Sequence, residues 1–223
     1  MNGIVLHVYD FVSIVMAQLL PHPTGARAAV AASQRDRLLR AMADAAAEKG
    51  YANTVVADVV ARAGVSRKTF YEQFPGGKEE CFLASYDAGV GGLIDLLGEH
   101  VGGPRPVREQ IEAMLGAYLD ALAAEPAWAK TYLVEVFAIG TAAVERRRAG
   151  LERFAAAIRD LHEQLAAEEG PKRIRPPGAV DHEAIVGGIA MMVTMETAGG
   201  RADGLPELHE RIVRFLFAAL ERS

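Results

Sequence analysis

Apolar side chains recur every three or four positions along most of the chain, which is the spacing of residues on one face of an α-helix. After a Pro- and Gly-containing stretch near the N-terminus, a first repeat carries its apolar face at Leu38, Leu39, Met42, Ala45 and Ala46. No run of alternating β-branched residues follows residue 33. The pattern therefore predicts an all-α protein.

Two further short helices are predicted before residue 75. Gly50 ends the first helix, and Thr54 stands where its hydroxyl would cap the second. Gly64 ends the second helix, and Ser66 is expected to cap the third after a turn of about three residues. The expected buried face of the second helix consists of Val55, Val56, Val59, Val60 and Ala63. Three short helices with a tight glycine turn form the layout of a helix-turn-helix.

The third predicted helix has two chemically distinct faces. Phe70 and Phe74 are four residues apart and are expected to point into the core. Arg67, Lys68 and Tyr71 are expected to point outward, where a cation at the start of a helix in the major groove donates to guanine O6 and N7. Free N–H groups at the helix start and nearby hydroxyls suit phosphate contacts. The alternative is a surface hairpin whose cations are merely solvated.

Residues 34–83 (QRDRLLRAMADAAAEKGYANTVVADVVARAGVSRKTFYEQFPGGKEECFL) resemble the N-terminal domain of the TetR/AcrR family of bacterial transcriptional regulators. The resemblance implies a helical C-terminal domain with an effector pocket. It also implies a homodimer that places its two third helices in successive major grooves of a palindromic operator.

The resemblance further implies roles for individual positions. The base-reading positions are Arg67, Lys68 and Tyr71. The positions that usually hold the phosphate backbone are Thr54, Ser66, Thr69, Gln73 and Lys78. The family commonly has two residues between the last aromatic and this lysine, whereas this chain has the three residues 75–77. Arg27 and Arg35 are candidates for an additional contact from an N-terminal arm.

Longer helices are predicted after residue 77, separated by Pro and Gly. They span 78–100, 105–124, 126–140, 141–169, 181–198 and 206–222. The expected organisation is an N-terminal extension and arm (1–33), a helix-turn-helix DNA-binding domain (34–80), and a ligand-binding and dimerisation domain (81–223).

By the same resemblance, the helices 181–198 and 206–222 would pair with those of a second copy in a four-helix interface. Gly187 and Gly188 would let these helices approach closely. The candidate interface side chains are Ile185, Ile189, Met192, Val193, Leu208, Ile212, Phe215, Leu216 and Leu220. The alternative is that the same side chains form an intramolecular core.

Aromatic and thioether side chains in the C-terminal helices suit a medium-sized apolar effector. The candidate pocket residues are Met114, Tyr118, Trp128, Tyr132, Phe137, Phe154, Met191 and Met195. Glu135 lies in an apolar stretch and, if buried, needs a partner such as a cationic ligand or a hydroxyl. The alternatives are ordinary core positions for the apolar residues and a solvent-facing position for Glu135.

The net charge of −5 is unevenly distributed. Residues 21–80 contain nine Lys and Arg against seven Asp and Glu, whereas residues 81–223 contain 15 against 21. The acidic total therefore does not exclude DNA binding by the N-terminal part. The basic run ERRRAG (145–150) is expected to be a solvated helix face.

Candidate catalytic chemistry is sparse. Cys81 is the single cysteine, which fits a reducing, cytoplasmic setting, and it is either a core residue or a redox sensor. The sequence has no HExxH, no CxxC, no phosphate-binding glycine loop and no nucleophile elbow. Asp181, His182 and Glu183 fan out around a helix rather than converging on a metal. No catalytic residue, cofactor or metal is therefore expected.

Residues 4–20 are apolar but interrupted by His7 and Asp10, and no cation precedes them. They match neither a signal peptide nor a membrane span. The segment is either an N-terminal extension or the product of an upstream start codon, with native translation beginning at Met16 or later.

The helix-turn-helix pattern thus predicts a DNA-binding protein, and the single cysteine suits a cytoplasmic setting. The family resemblance further implies a ligand-responsive regulator, a repressor by family habit, that binds a palindromic operator as a homodimer and responds to a small apolar effector. The alternative is an all-helical cytoplasmic enzyme or small-molecule carrier whose helix-turn-helix does not bind DNA.

Overall fold

Nine α-helices make up most of residues 26–222, the part of the chain that the computed structural model describes. They are α1 (Ala26–Lys49), α2 (Val56–Ala63), α3 (Arg67–Gln73), α4 (Gly77–Gly98), α5 (Val107–Ala124), α6 (Pro126–Leu133), α7 (Thr141–Glu169), α8 (His182–Ala198) and α9 (His209–Leu220). Short 3₁₀ helices lie at Glu135–Ala138, Pro177–Ala179 and Ala202–Leu208. The prediction of an all-α fold is confirmed.

Three helix boundaries differ from the expected ones. α1 begins at Ala26, so residues 26–33 continue the helix instead of forming an arm, in keeping with their alanine content. The helix expected over 126–140 ends at Leu133 and gives way to a 3₁₀ turn. The last helix begins at His209, because the preceding 3₁₀ segment contains a proline that has no N–H to donate. The segment 4–20 and the side chain of Arg27 lie outside the described residues.

Phe70 and Phe74 fix α3 to the N-terminal core. Both side chains are completely buried, with ring centroids 5.7 Å apart. Side chains from α1, α2 and α4 surround them, namely Leu38, Leu39, Met42, Val59, Val60 and Phe82. The predicted inward face of the third helix is confirmed. In the second helix Val59, Val60 and Ala63 are buried as predicted, but Val55 is 53% exposed because it precedes the helix.

The turn between α2 and α3 has the expected geometry. Gly64 ends α2 in the left-handed region (φ 64°, ψ 38°), where a side chain is disfavoured. Ser66 caps α3, and its hydroxyl accepts a hydrogen bond from the Thr69 N–H at 3.0 Å. The predicted cap of the third helix is therefore confirmed.

The predicted capping role of Thr54 is wrong. The residue before α2 is Val55, whose N–H donates to the Asp58 carboxylate at 3.1 Å. Thr54 is fully buried, and its hydroxyl donates to the Gly50 carbonyl at 2.9 Å. The hydroxyl thus closes the loop after α1 instead of starting α2.

A second core joins α5, α7, α8 and α9. Six of the candidate interface side chains are buried in it, namely Ile185, Ile189, Val193, Ile212, Leu216 and Leu220. Their assignment to a dimer interface is wrong, because they already contact their own chain, and Met192 and Leu208 pack partly against the same core. Phe215 is exposed as expected, and a Cβ on Gly188 would lie 3.0 Å from its ring. Glycine at 188 therefore lets α8 and α9 pack closely within one chain.

α4 runs from the N-terminal core to the second core. By length and composition it is the one described helix that would suit a membrane. Cys81, Phe82, Leu83 and Tyr86 are nevertheless buried between α4 and its neighbours. Core helices commonly meet the same criterion.

His162 of α7 and His182 of α8 form a buried pair. His162 Nδ1 lies 2.9 Å from His182 Nε2, while His162 Nε2 donates to the Arg175 carbonyl at 3.0 Å. Burial lowers the pKa of both imidazoles. Asp181 caps α8 by accepting from the Ala184 N–H at 3.0 Å. Asp181 is thus used as a helix cap and His182 in the buried pair, while Glu183 is exposed.

Replacing Phe70 by alanine is expected to lower the free energy of unfolding by about 3–5 kcal/mol, because the ring is completely buried. Urea unfolding followed by circular dichroism measures the change. Tyr71→Ala, an adjacent aromatic that is exposed, is the matched control and should cost much less. Equal and small effects of the two substitutions would contradict the core assignment.

Cys81 is expected to resist modification in the native protein. Its thiol is fully buried, and burial raises its pKa to about 12, so almost no thiolate forms near neutral pH. Mass spectrometry after iodoacetamide treatment should show no adduct on the folded chain and one adduct in denaturant. Rapid labelling of the folded chain would instead favour the redox-sensor alternative.

Candidate functional site

The outward face of α3 carries the side chains expected to read bases. Arg67 and Lys68 are exposed at the first turn, and Tyr71 is 47% exposed one turn later. The Lys68 ammonium lies 3.7 Å from the Glu72 carboxylate, but both groups are well solvated and such a pair is weak. The cations at the tip of α3 are therefore free to meet a partner.

The hydroxyls of Ser66 and Thr69 lie beside this tip. Their oxygens are 2.9 Å apart, so the two groups form one polar cluster at the start of α3. Ser66 is exposed and Thr69 half-buried. Thr54 does not join them, since its buried hydroxyl bonds to Gly50. Its expected phosphate contact is wrong.

Arg35 and Lys78 hold the N-terminal domain together. The Arg35 guanidinium donates to the Gln73 carbonyl at 3.3 Å and lies 4.5 Å from the Phe74 ring centroid. The expected arm contact of Arg35 is therefore wrong, because its side chain binds the end of α3. The Lys78 ammonium donates to the Tyr51 carbonyl at 2.9 Å and sits 4.2 Å from that ring centroid. Lys78 retains two further N–H donors for an anion.

A cavity of about 470 Å³ lies between α4, α5, α6, α7 and α8. This size falls in the range of small-molecule sites, ~300–1,000 Å³. Five of the candidate pocket residues line it, namely Met114, Tyr118, Trp128, Tyr132 and Phe154. Most of the remaining wall is aliphatic, so the cavity suits a largely apolar molecule.

Four candidate pocket residues lie elsewhere. Met191 and Met195 are exposed on the outer face of α8, because the inner face is taken by Ile189, Val193 and their neighbours. Phe137 is exposed in the 3₁₀ turn that replaced the end of the predicted helix. Glu135 does not line the cavity either. These four pocket assignments are wrong.

Glu135 instead links the 3₁₀ turn after α6 to the N-terminal domain. Its carboxylate accepts from the Tyr51 N–H at 2.8 Å and lies 3.9 Å from the Lys130 ammonium. The half-buried Glu135 carboxylate thus has the partner that the sequence analysis required, and this partner is the Tyr51 N–H just after α1.

The wall formed by α6 reaches the N-terminal domain at two more points. The Tyr132 hydroxyl lies 2.9 Å from the Ser85 hydroxyl, which donates to the Leu39 carbonyl of α1 at 2.9 Å. Burial raises the pKa of Asp44 of α1, an effect partly offset by Arg62 and by the indole N–H of Trp128. Tyr132 and Trp128 therefore contact both the cavity and the N-terminal domain.

Arg147 is the principal residue of the cavity wall that sequence reasoning missed. It is 8% exposed, although Arg146 and Arg148 on either side are solvated as expected of this basic run. The signal was present in α7, where positions 143, 147, 150, 154, 158 and 161 form one inward stripe. Tyr86, Val90, Leu93 and Leu97 of α4 were missed as well.

The phenols of the cavity are neutral hydrogen-bonding groups. Burial raises the pKa of Tyr118 to about 12, and it also raises the pKa of Tyr132. Burial likewise raises the pKa of Tyr86, with the nearby Arg147 opposing the shift. Arg147 is therefore the buried cation among the described residues of a wall that is otherwise mostly apolar, with phenol hydroxyls and the carboxylates Glu125 and Asp160.

Residues 38–85 match the family model described as bacterial regulatory proteins, tetR family. None of the curated proteins compared with the chain matches it. The resemblance in the N-terminal domain is confirmed by the family match, which spans α2, α3 and parts of α1 and α4.

Solved structures share the fold over most of the chain. The fatty acid degradation regulator FadR of Bacillus halodurans is 19% identical with a TM-score of 0.70, covering 83% of this chain and 98% of that one. FadR of Bacillus subtilis, in complex with stearoyl-CoA, is 17% identical with a TM-score of 0.69, covering 82% and 97%. TylP, a tetR regulator from Streptomyces fradiae, is 23% identical with a TM-score of 0.59, covering 86% and 88%. The chain has the fold of these TetR-family regulators.

Proposed function

We propose that this chain, with its tetR-type N-terminal domain, is a ligand-responsive repressor that binds a palindromic operator as a homodimer. The observation that carries the proposal is the two-sided character of α3. Phe70 and Phe74 are fully buried, while Arg67 and Lys68 project from the tip of the same helix. A rigid helix with an exposed cationic tip is what the major groove accepts.

The proposed contacts divide into base readers and phosphate holders. Arg67, Lys68 and Tyr71 would face base edges in the groove. The proposed phosphate contacts are Ser66, Thr69, Gln73 and Lys78. The start of α3 supports phosphate binding there, since its hydroxyl pair and free N–H groups favour an anion.

The proposed dimer forms through the outer face of residues 181–222. Met191, Met195 and Phe215 are exposed apolar side chains on α8 and α9. Exposed apolar side chains grouped on adjacent helices favour an interface with a second copy. Phe215 was already a candidate interface residue, and Met191 and Met195 take the place of the candidates that are buried.

The proposed effector site is the cavity enclosed by the five helices α4 to α8. A molecule in contact with Tyr132 and Trp128 would also act on α1, through Leu39 and Asp44. Such contacts would favour one arrangement of the N-terminal domain over another, which shifts the population of DNA-competent dimers. The FadR complex with stearoyl-CoA supports a lipid-like effector for this fold.

Base reading is tested by substituting Arg67 and Lys68 individually with alanine. DNA fragments selected from the source genome by the wild-type chain provide the target. Each substitution is expected to relax discrimination at a base pair by about 1–3 kcal/mol if that side chain reads the base. Fluorescence anisotropy on matched and single-mismatch duplexes measures the change.

Lys172→Ala is the matched control, since it removes an equal charge from an exposed loop remote in sequence from α3. It should leave discrimination unchanged. Equal weakening of all duplexes by Arg67→Ala would make that residue a phosphate contact. A wild-type chain with no fragment preference and no loss of affinity with salt would instead favour the enzyme or carrier alternative.

The dimer face is tested by Met195→Glu, which places a charge on a side chain that is 61% exposed. Burying this carboxylate in an interface is unfavourable, so sedimentation equilibrium should show a marked shift towards monomer. Val55→Glu, at a position 53% exposed in the N-terminal domain, is the control and should remain dimeric. Unchanged association of Met195→Glu would contradict the proposed face.

A further inference from the structure

Arg147 carries a buried charge that no carboxylate among residues 26–222 balances. Its side chain is 8% exposed in the wall of the cavity. None of the ion pairs among the described residues includes it. Removing a guanidinium from water is unfavourable unless it is paired. The unbalanced charge therefore needs an explanation.

Within the described part of the chain, the groups around Arg147 are neutral. Its Nη2 donates to the Thr194 hydroxyl at 3.2 Å, and its guanidinium carbon lies 4.9 Å from the Phe137 ring centroid. The Tyr86 phenol lies near enough for Arg147 to oppose the rise in that pKa. These groups orient the guanidinium and stabilise it in part, but they supply no negative charge.

The two arginines next to Arg147 in α7 are exposed and form ion pairs. Arg146 pairs with Asp87, and Arg148 pairs with Glu152. Both are exposed, whereas Arg147 falls on the inward stripe of the helix between Ala143 and Gly150. Three consecutive arginines thus have three different surroundings, and only the middle one faces the cavity.

The rest of the wall suits a hydrocarbon chain. Aliphatic and thioether side chains from all five surrounding helices line it, among them Leu93, Leu97, Met114, Leu115, Leu122 and Ile158. Its carboxylates, Glu125 and Asp160, are half-buried and exposed, respectively. Burial and nearby Asp44 raise the pKa of Glu125, so a second anion beside Glu125 would be unfavourable. An anionic ligand therefore has one favourable position for its charge, at Arg147.

We propose that the cavity binds an amphipathic monocarboxylate of the fatty-acid type, with its carboxylate on Arg147 and its hydrocarbon chain among these aliphatic residues. A guanidinium matches a carboxylate with two parallel N–H donors. A phosphate-rich head group fits less well, because the cavity wall supplies a single cation. This ligand assignment rests on the proposed effector role of the cavity.

Direct binding to the full chain, without DNA, tests the ligand class. Trp128 is the single tryptophan and lines the cavity, so its fluorescence reports occupancy. Tetradecanoate, its methyl ester and tetradecanoyl-CoA are titrated below the concentrations at which they aggregate. Tetradecanoate is expected to bind at least tenfold more tightly than the methyl ester. Affinity should rise about fourfold per methylene from decanoate upward until the cavity is filled.

Arg147→Met removes the charge but keeps a long apolar side chain, and Arg148→Met is the matched control on the same helix. Arg147→Met is expected to weaken tetradecanoate binding about 10- to 100-fold, without weakening the methyl ester. Arg147→Lys should retain part of the preference, and Arg148→Met should match the wild type. Comparing the affinities of tetradecanoate and its methyl ester for the wild-type chain needs no variant. This comparison therefore still tests the assignment if Arg147→Met does not fold.

Three results would overturn the assignment. The first is that the acid and the methyl ester bind equally tightly, and the second is that Arg147→Met does not change the affinity for tetradecanoate. The third is that tetradecanoyl-CoA binds tightly while the free acid does not bind, which would make acyl thioesters the ligand class. Release of DNA by tetradecanoate is measured separately by anisotropy. Arg147-dependent binding in a chain that ignores DNA would keep this assignment and reject the regulator.

Discussion

The burial of Phe70 and Phe74 is the contact on which the N-terminal half of the molecule depends. A helix of seven residues is too short to be stable alone in water. Packing against the N-terminal core therefore both stabilises α3 and sets its position. Ser66 starts the helix and Gly64 allows the sharp turn that precedes it. With both rings buried, α3 is held in one orientation, in which Arg67 and Lys68 are exposed at its first turn. The direction of Arg67 and Lys68 is therefore a consequence of packing.

α6, which forms one wall of the cavity, also depends on contacts with the N-terminal domain. Trp128 and Tyr132 of α6 line the cavity and also face the N-terminal domain, Trp128 through Asp44 of α1 and Tyr132 through Ser85 of α4. The 3₁₀ turn that follows brings Glu135 to the Tyr51 N–H. A short helix interrupted by a turn can serve both cores because it has two sets of neighbours. In the proposed function, these contacts would link a bound effector to the N-terminal domain.

Short-range sequence patterns predicted the helix-turn-helix, whereas tertiary packing determined which faces of the C-terminal helices are buried. Glycine turns, a serine cap and paired phenylalanines act over three to five residues, so spacing alone revealed them. Helix orientation in the C-terminal domain depends on distant neighbours, and periodicity does not say which apolar stripe faces inward. Met195 was therefore placed in the pocket although it points outward, and Ile189 in the interface although it is buried. Arg147 was hidden because a basic run usually marks solvent.

The most direct test of DNA reading by paired α3 helices is a hydroxyl-radical footprint on a fragment that the chain selects from its source genome. A dimer with paired α3 helices should protect two patches on one face of the duplex, with centres about 34–36 Å apart and related by a twofold axis. The Phe70→Ala chain, whose α3 has lost its support, should protect neither patch under the same conditions. A single patch, uniform protection, or an unchanged footprint from Phe70→Ala would contradict DNA reading by paired α3 helices.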